Sequence, residues 1–211
     1  MGILNKKKED RLSGRLGDVV YYWRNGRQLF RSYVAPVNPK TPAQKAQRTK
    51  LSVASTLVSQ LYGAIKHGHR NTFITFGTIC GRVMREAITG ESPPFTIDYS
   101  KIRIAEGPLQ KPLHILASYD PATRQMRFTW DSALVNYPSQ GRLSDRILIV
   151  SFLEKPQPQV KTHVVGSRGD KEATFTLPEG WDSHNTHFWL YVSSLDGEEH
   201  SGSEYVEVKR C

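Results

Sequence analysis

The chain has 211 residues, 38% of them hydrophobic and 10% aromatic, and 29 Lys+Arg against 20 Asp+Glu leave a formal charge of +9. That composition fills a core for two modest domains and excludes a disordered chain. Only Cys80 and Cys211 occur, which excludes a disulfide framework and a Cys-rich zinc site. No apolar run approaches the roughly 18 residues that span a bilayer, and the start MGILNKKKEDR has charges with no apolar stretch behind them. Neither a membrane span nor a signal peptide is expected, so the expected location is cytoplasmic.

The charge is concentrated at one end. Residues 1–92 hold 16 Lys+Arg and 5 Asp+Glu, while 93–211 hold 13 and 15. Such asymmetry marks a region that meets a polyanion, most often nucleic acid, the plain alternative being a merely soluble basic domain. At Glu91-Ser92-Pro93-Pro94 helix-forming residues give way to strand patterns, and paired prolines stop a helix. The expected organisation is a basic hairpin-and-helix region over 1–92, a connecting segment over 93–112 and a β-rich region over 113–211.

The N-terminal Lys6, Lys7 and Lys8 read as an arm or a solubilising tail. Gly14 and Gly17 read as turn formers, since no helix follows them to make a phosphate loop. Residues 18–34 read as a β-hairpin, because Asn25-Gly26 suits the two positive-φ positions of a type I′ turn. That turn sets the register, pairing Arg24 with Arg27, Tyr22 with Leu29 and Val20 with Arg31. One face, Val19, Tyr21, Trp23 and Phe30, is expected to pack on the helices. The other interleaves Arg24, Arg27 and Arg31 with Tyr22 and Leu29. Guanidinium pairs with phosphate and a ring stacks on an unpaired base, so this face suits nucleic acid; it equally suits an edge hairpin protected by its charges.

In Thr41-Pro42-Ala43-Gln44, Thr41 can cap a helix and Pro42 take its first position, an arrangement that contributes about 1 kcal/mol. The helix is predicted to reach about Ile65, with Ala43, Ala46, Ala54, Leu57, Val58, Leu61 and Ile65 as its apolar stripe and Lys45 and Arg48 together off it. A second helix is predicted over 71–88, with Phe73, Phe76, Ile79, Cys80, Val83 and Ala87 inward and Arg82 and Arg85 outward. Between them, His67 and His69 lie in a basic joint with no Cys or carboxylate cluster nearby in sequence, so no metal site is expected.

Taken in order, Ser13-Gly14-Arg15-Leu16-Gly17, Trp23-Arg24-Asn25-Gly26-Arg27, Arg31 and Asn38-Pro39-Lys40-Thr41-Pro42-Ala43-Gln44 with Gln47-Arg48 resemble an uncharacterised bacterial family, a domain of unknown function common in Bacteroidetes-type genomes. The stretch from Pro94 to Lys101 and Gly107-Pro108-Leu109 is similar to that family's middle segment. Shorter proteins with the same hairpin and helix start occur in phage and prophage neighbourhoods, so the resemblance implies a virion or mobile-element assembly protein. It implies no catalytic residues. Asp18 stands where relatives often have asparagine, and this hairpin is unusually rich in arginine.

Seven short strands are predicted after Gly107, over 113–119, 125–130, 146–153, 159–165, 173–177, 187–193 and 204–208, the pattern of a β-sandwich. The segment from Thr186 to Ser203 resembles the last hairpin of a fibronectin type III domain, and Trp130 fits that fold's core tryptophan. Phe188 stands where that family often has tyrosine. The expected fold class is therefore α+β: an N-terminal β-hairpin plus two helices, then an immunoglobulin/fibronectin III-like antiparallel β-sandwich.

Asp120, Asp131, Asp145 and Asp170 fall in predicted turns, and His163, His184, His187 and His200 come from separate strands or loops. Nothing in their spacing pairs an acid with a base, and no nucleophile elbow or phosphate loop occurs. The Arg-Gly-Asp triplet at 168–170 reads as a turn. No enzyme and no cofactor are expected. The reading is a binding or assembly protein whose basic region contacts nucleic acid or neighbouring subunits, while the sandwich presents a second surface. Arg24, Arg27, Arg31, Lys45 and Arg48 are the anion-contact candidates, with Tyr22 as stacking partner. The rival is a structural protein of a virion or mobile element with no nucleic-acid contact.

Overall fold

The computed structural model describes residues 12–35, 37, 40–70, 72–134 and 141–210. The chain divides into two compact units, Met1–Thr41 and Pro42–Cys211. Lys6, Lys7 and Lys8, Asn38, Pro39, Asn71 and Cys211 lie outside the described residues.

The first unit is a three-stranded antiparallel sheet, ordered β1 (Gly14–Leu16), β2 (Val19–Arg24) and β3 (Arg27–Ser32). Asn25 and Gly26 have φ of 51° and 75°, as a type I′ turn requires. The ladder follows the predicted register through all six pairs from Val19↔Ser32 to Arg24↔Arg27. The glycine-rich start does more than turn: Gly17, at φ 59°, reverses the chain so that β1 pairs with β2. Of the four residues expected to face the helices, Val19 and Tyr21 are half-buried. Phe30 is 73% exposed and Trp23 37%.

The second unit opens with α1 (Pro42–Gly68), Pro42 in its first position, where the missing N–H costs nothing. Its buried stripe starts at Ala54 and continues through Leu57, Val58, Leu61, Ala64 and Ile65. Ala43 is exposed and Ala46 half-buried, so the first turns run past the core. The next helix, α2 (Phe76–Glu86), is shorter than predicted. Thr75 caps it, its Oγ accepting from the Thr78 N–H at 3.2 Å. Phe73 precedes that cap and is 95% exposed, while Ile79, Cys80 and Val83 point inward as expected.

A two-stranded ladder of β4 (Ile88–Thr89) and β5 (Thr96–Ile97) leads into the sandwich. Its strands are β6 (Leu113–Asp120), β7 (Gln125–Asp131), β8 (Arg146–Leu153), β9 (Gln159–Ser167), β10 (Glu172–Thr176) and β11 (Thr186–Ser193). The last predicted strand is realised in two pieces: β12 (Glu204–Tyr205) pairs with β11, and β13 (Val208–Arg210) crosses to pair in parallel with β6. One sheet is ordered β10-β7-β6-β13, the other β12-β11-β8-β9. The fold class is α+β with a β-sandwich-like arrangement.

Two cores lie on opposite faces of β8 and β11. Between the sheets, Met126, Phe128 and Trp130 meet Ile147, Ile149, Phe188, Leu190 and Val192. On the other face Leu148, Val150, Phe152, Trp189 and Tyr191 pack with Leu57, Val58, Leu61 and Ile65 of α1 and Ile79 and Val83 of α2. Period-two alternation explains this: residues of one parity serve one core and their neighbours the other. The composition change at Ser92 therefore falls inside one compact unit, because the helices cover a sheet face that would otherwise expose five large apolar side chains.

Gly68 shows how closely the helix end is seated. A Cβ there would lie 2.5 Å from the Ile104 carbonyl oxygen and 2.7 Å from the Ala105 Cβ. Gly68→Ala is expected to cost about 1–3 kcal/mol through overpacking, read as a lowered thermal midpoint; an unchanged midpoint would mean the 104–105 segment yields freely. Among the described residues no helix is long and apolar enough to cross a membrane.

Candidate polyanion-binding face

Paired residues share a face, so the observed register places Val20, Tyr22, Arg24, Arg27, Leu29 and Arg31 together. Arg15 pairs with Val20 and joins them. Tyr33, whose N–H donates to the Asp18 carbonyl at 2.7 Å, continues the same face. Arg15, Tyr22, Arg24, Arg27 and Arg31 are all exposed. The Arg15 guanidinium lies 3.5 Å from the centroid of the Tyr33 ring, and its Nε donates to the Gly17 carbonyl at 2.8 Å. Arg15 is the member that sequence reasoning missed, because its segment reads as a turn; the signal was one more alternating residue between two glycines.

Among the described residues the charge on this face has no acidic partner. Arg24 stands directly opposite Arg27, an arrangement that costs a few tenths to about 1 kcal/mol by like-charge repulsion. Among the described residues no carboxylate pairs with Arg15, Arg24, Arg27 or Arg31, whereas in the second unit Arg82 reaches Glu106 at 2.9 Å, Arg103 reaches Glu86 at 3.1 Å and Lys111 reaches Glu204 at 2.9 Å. The sequence contains no Asp or Glu between Asp18 and Glu86. An anion at the turn end of the hairpin would relieve the repulsion that the Arg24–Arg27 pair creates.

The other two cationic candidates stand apart from this face in the chain. Lys45 and Arg48 are exposed one turn apart on the first turns of α1, in the second unit.

With the hairpin, the helix start and the sandwich in this order, the chain matches a family of unknown function over residues 11–207. It belongs to DUF6266. No curated protein matches it. Membership in DUF6266 brings no assigned chemistry, so any activity must be read from the residues themselves.

The scattered polar groups of this DUF6266 chain stay scattered. Asp120 accepts from the Ala122 N–H at 2.9 Å, Asp131 from Ala133 at 2.9 Å, Asp145 from Arg142 at 2.6 Å and Asp170 from Ser167 at 2.7 Å, the ordinary work of turn aspartates. His163 shares a hydrogen bond with the Ser151 hydroxyl at 3.0 Å and stacks on Phe175. His187 lies 3.6 Å from the Tyr99 ring centroid and shares a hydrogen bond with the Tyr205 hydroxyl at 3.0 Å, with Glu154 at 3.7 Å. His200 packs beside His67, ring centroids 5.6 Å apart, and the His184 N–H donates to Asp182 at 3.0 Å. Burial pushes the imidazoles of His163, His187 and His200 below their ordinary value.

In the basic joint, His67 shares a hydrogen bond with the Tyr191 hydroxyl at 2.9 Å and the His69 Nδ1–H donates to the Ile65 carbonyl at 2.9 Å. Among the described residues no group of three or more His, Cys, Asp or Glu could hold a metal ion. The Arg-Gly-Asp triplet forms a 3-10 turn with Arg168 fully buried, where its Nη2 donates to the Gln110 carbonyl. It is therefore a structural turn with no displayed arginine.

Proposed function

We propose that this DUF6266 chain is a non-enzymatic binding or assembly protein whose hairpin unit takes a polyanion, nucleic acid first, while the β-sandwich presents a second interaction surface. One observation carries the reading: three arginines of one hairpin face, with Arg15 beside them, have no carboxylate partner among the described residues. Like charges held opposite one another, with no carboxylate partner among the described residues, favour an external anion. Lys45 and Arg48, exposed on the first turns of α1, are the anion-contact candidates of the second unit. A cytoplasmic or virion-associated setting suits this role.

The test is fluorescence anisotropy of labelled DNA at about 50 and 200 mM salt, for the wild type and an Arg24/Arg27/Arg31→Ala variant. The variant is expected to bind more weakly and to lose about 3 units of the log–log salt slope, close to one per phosphate contact. Wild-type protein that fails to bind at the lower salt would overturn the reading.

A second reading is favoured by the opposite face, where Leu16, Trp23 and Phe30 are exposed together. Exposed apolar surface of this kind suits neighbouring subunits of an assembly, with the arginines serving solubility. Apolar contacts of that sort weaken little with salt, which separates the two readings in the same experiment.

A further inference from the structure

We infer that the arginine face is built for single-stranded rather than duplex nucleic acid, an inference that rests on the polyanion reading above. The face has three rungs: Arg24 with Arg27 at the turn, Tyr22 with Leu29 in the middle, and Val20 with Arg31 and Arg15 at the far end. Alternate residues of a strand are about 6.6 Å apart, so the two cationic rungs stand about 13 Å from each other. That distance covers roughly four nucleotides at the ~3.4 Å spacing of one stacked strand, and fewer when the bases are drawn apart.

An apolar middle rung flanked by cationic rungs matches the chemistry of a single strand, in which phosphates and unpaired base faces are both presented. The exposed Tyr22 ring offers the stacking surface, with Leu29 beside it. Tyr33 is already covered by the Arg15 guanidinium, which makes Tyr22 the ring a base would use. In a duplex the base faces are sealed against one another, and a ring standing between two cationic rungs would meet only backbone or groove edge. Width points the same way. The major groove, about 12 Å across, admits a two-stranded ribbon. Three strands at about 4.8 Å spacing span about 10 Å between outer backbones before the side chains are added, so the end bearing Arg15 and Arg31 does not fit inside it.

The experiment titrates labelled 12-nucleotide single strands and a duplex of the same sequence with the full chain at about 50 mM salt. Wild type, Tyr22→Leu and Tyr22→Phe are compared, each checked by circular dichroism for an intact fold. The single strand is expected to bind at least tenfold more tightly than the duplex. Tyr22→Leu should weaken single-strand binding by about 5- to 150-fold, the range that base–ring stacking supplies, with the salt slope and the duplex affinity unchanged. Tyr22→Phe, which keeps the ring, should restore most of it. Equal binding of strand and duplex, with Tyr22→Leu silent, would overturn this inference and leave the polyanion reading standing. Binding to neither nucleic acid, or only to vesicles of anionic lipid, would overturn both.

Discussion

Trp189→Ala is expected to lower the stability of the Pro42–Cys211 unit by about 3–5 kcal/mol, the cost of removing a large aromatic from a packed core. In a unit of this length that corresponds to about 6–20 °C in the thermal midpoint. Trp189 is fully buried and belongs to the core that α1 and α2 share with β8 and β11. It meets Tyr205 edge-on at 5.7 Å, so the cavity would open where the helices, the central strand and the short β12 converge. The decisive reading is the shape of the transition. If the helices are a layer of the same unit, far-ultraviolet signals from helix and sheet fall together in both wild type and variant. Helical signal that outlasts the sheet would mean that the two layers fold independently. Phe30→Ala is the control, because that exposed ring lies in the other unit and its loss should stay within about 0.5 kcal/mol.

Much of this architecture was legible in the sequence because it is written locally. Asn25-Gly26 fixes a turn type and with it six cross-strand pairs, and Pro42 stands at the helix start expected there. The strands of the sandwich announce themselves by short β-branched and aromatic runs. What could not be read is what covers what. Leu148, Val150, Phe152, Trp189 and Tyr191 alternate with the residues of the inter-sheet core, and their presence means that β8 and β11 are buried on both faces. That pattern was available as two nearly continuous apolar strands, yet sequence alone does not say that α1 and α2 supply the cover. Near Ser92, where the helix–sandwich boundary is expected, charge and secondary structure change, while α1 and α2 share a core with β8 and β11. The candidate site was legible in its three hairpin arginines and Tyr22, whose shared face follows from the turn. Arg15 was not, since its membership depends on a third strand of only three residues.

The same packing sets an acid limit on stability. His163, His187 and His200 are each held below the ordinary imidazole value of 6.5 by burial, with Lys161 adding repulsion at His163, Glu154 opposing the effect at His187, and His67, Arg70 and His69 adding repulsion at His200. The Tyr191 ring packs edge-on against His200, and a backbone hydrogen bond with His67 opposes the downward shift. A depressed folded-state value means that below pH 6.5 the unfolded chain takes up protons that the folded chain refuses. The stability these histidines contribute is therefore fully present above about 6.5 and is lost as the pH falls from there through the folded values. Asp98, Asp120, Asp170 and Asp196 are held low by hydrogen bonds from Ser100, Thr123, Ser167 and Ser194, so their contribution is lost in a separate window below the ordinary carboxylate range. Urea unfolding at pH 7.5, 6.5 and 5.5 should give a falling free energy below 6.5, with His200→Gln reducing the slope by up to one proton's worth. A flat profile between 7.5 and 5.5 would show that the buried imidazoles gain their protons without opening the fold. A slope untouched by His200→Gln would shift the proton uptake to His163 and His187, away from the junction where the end of α1 meets the last hairpin of the sandwich.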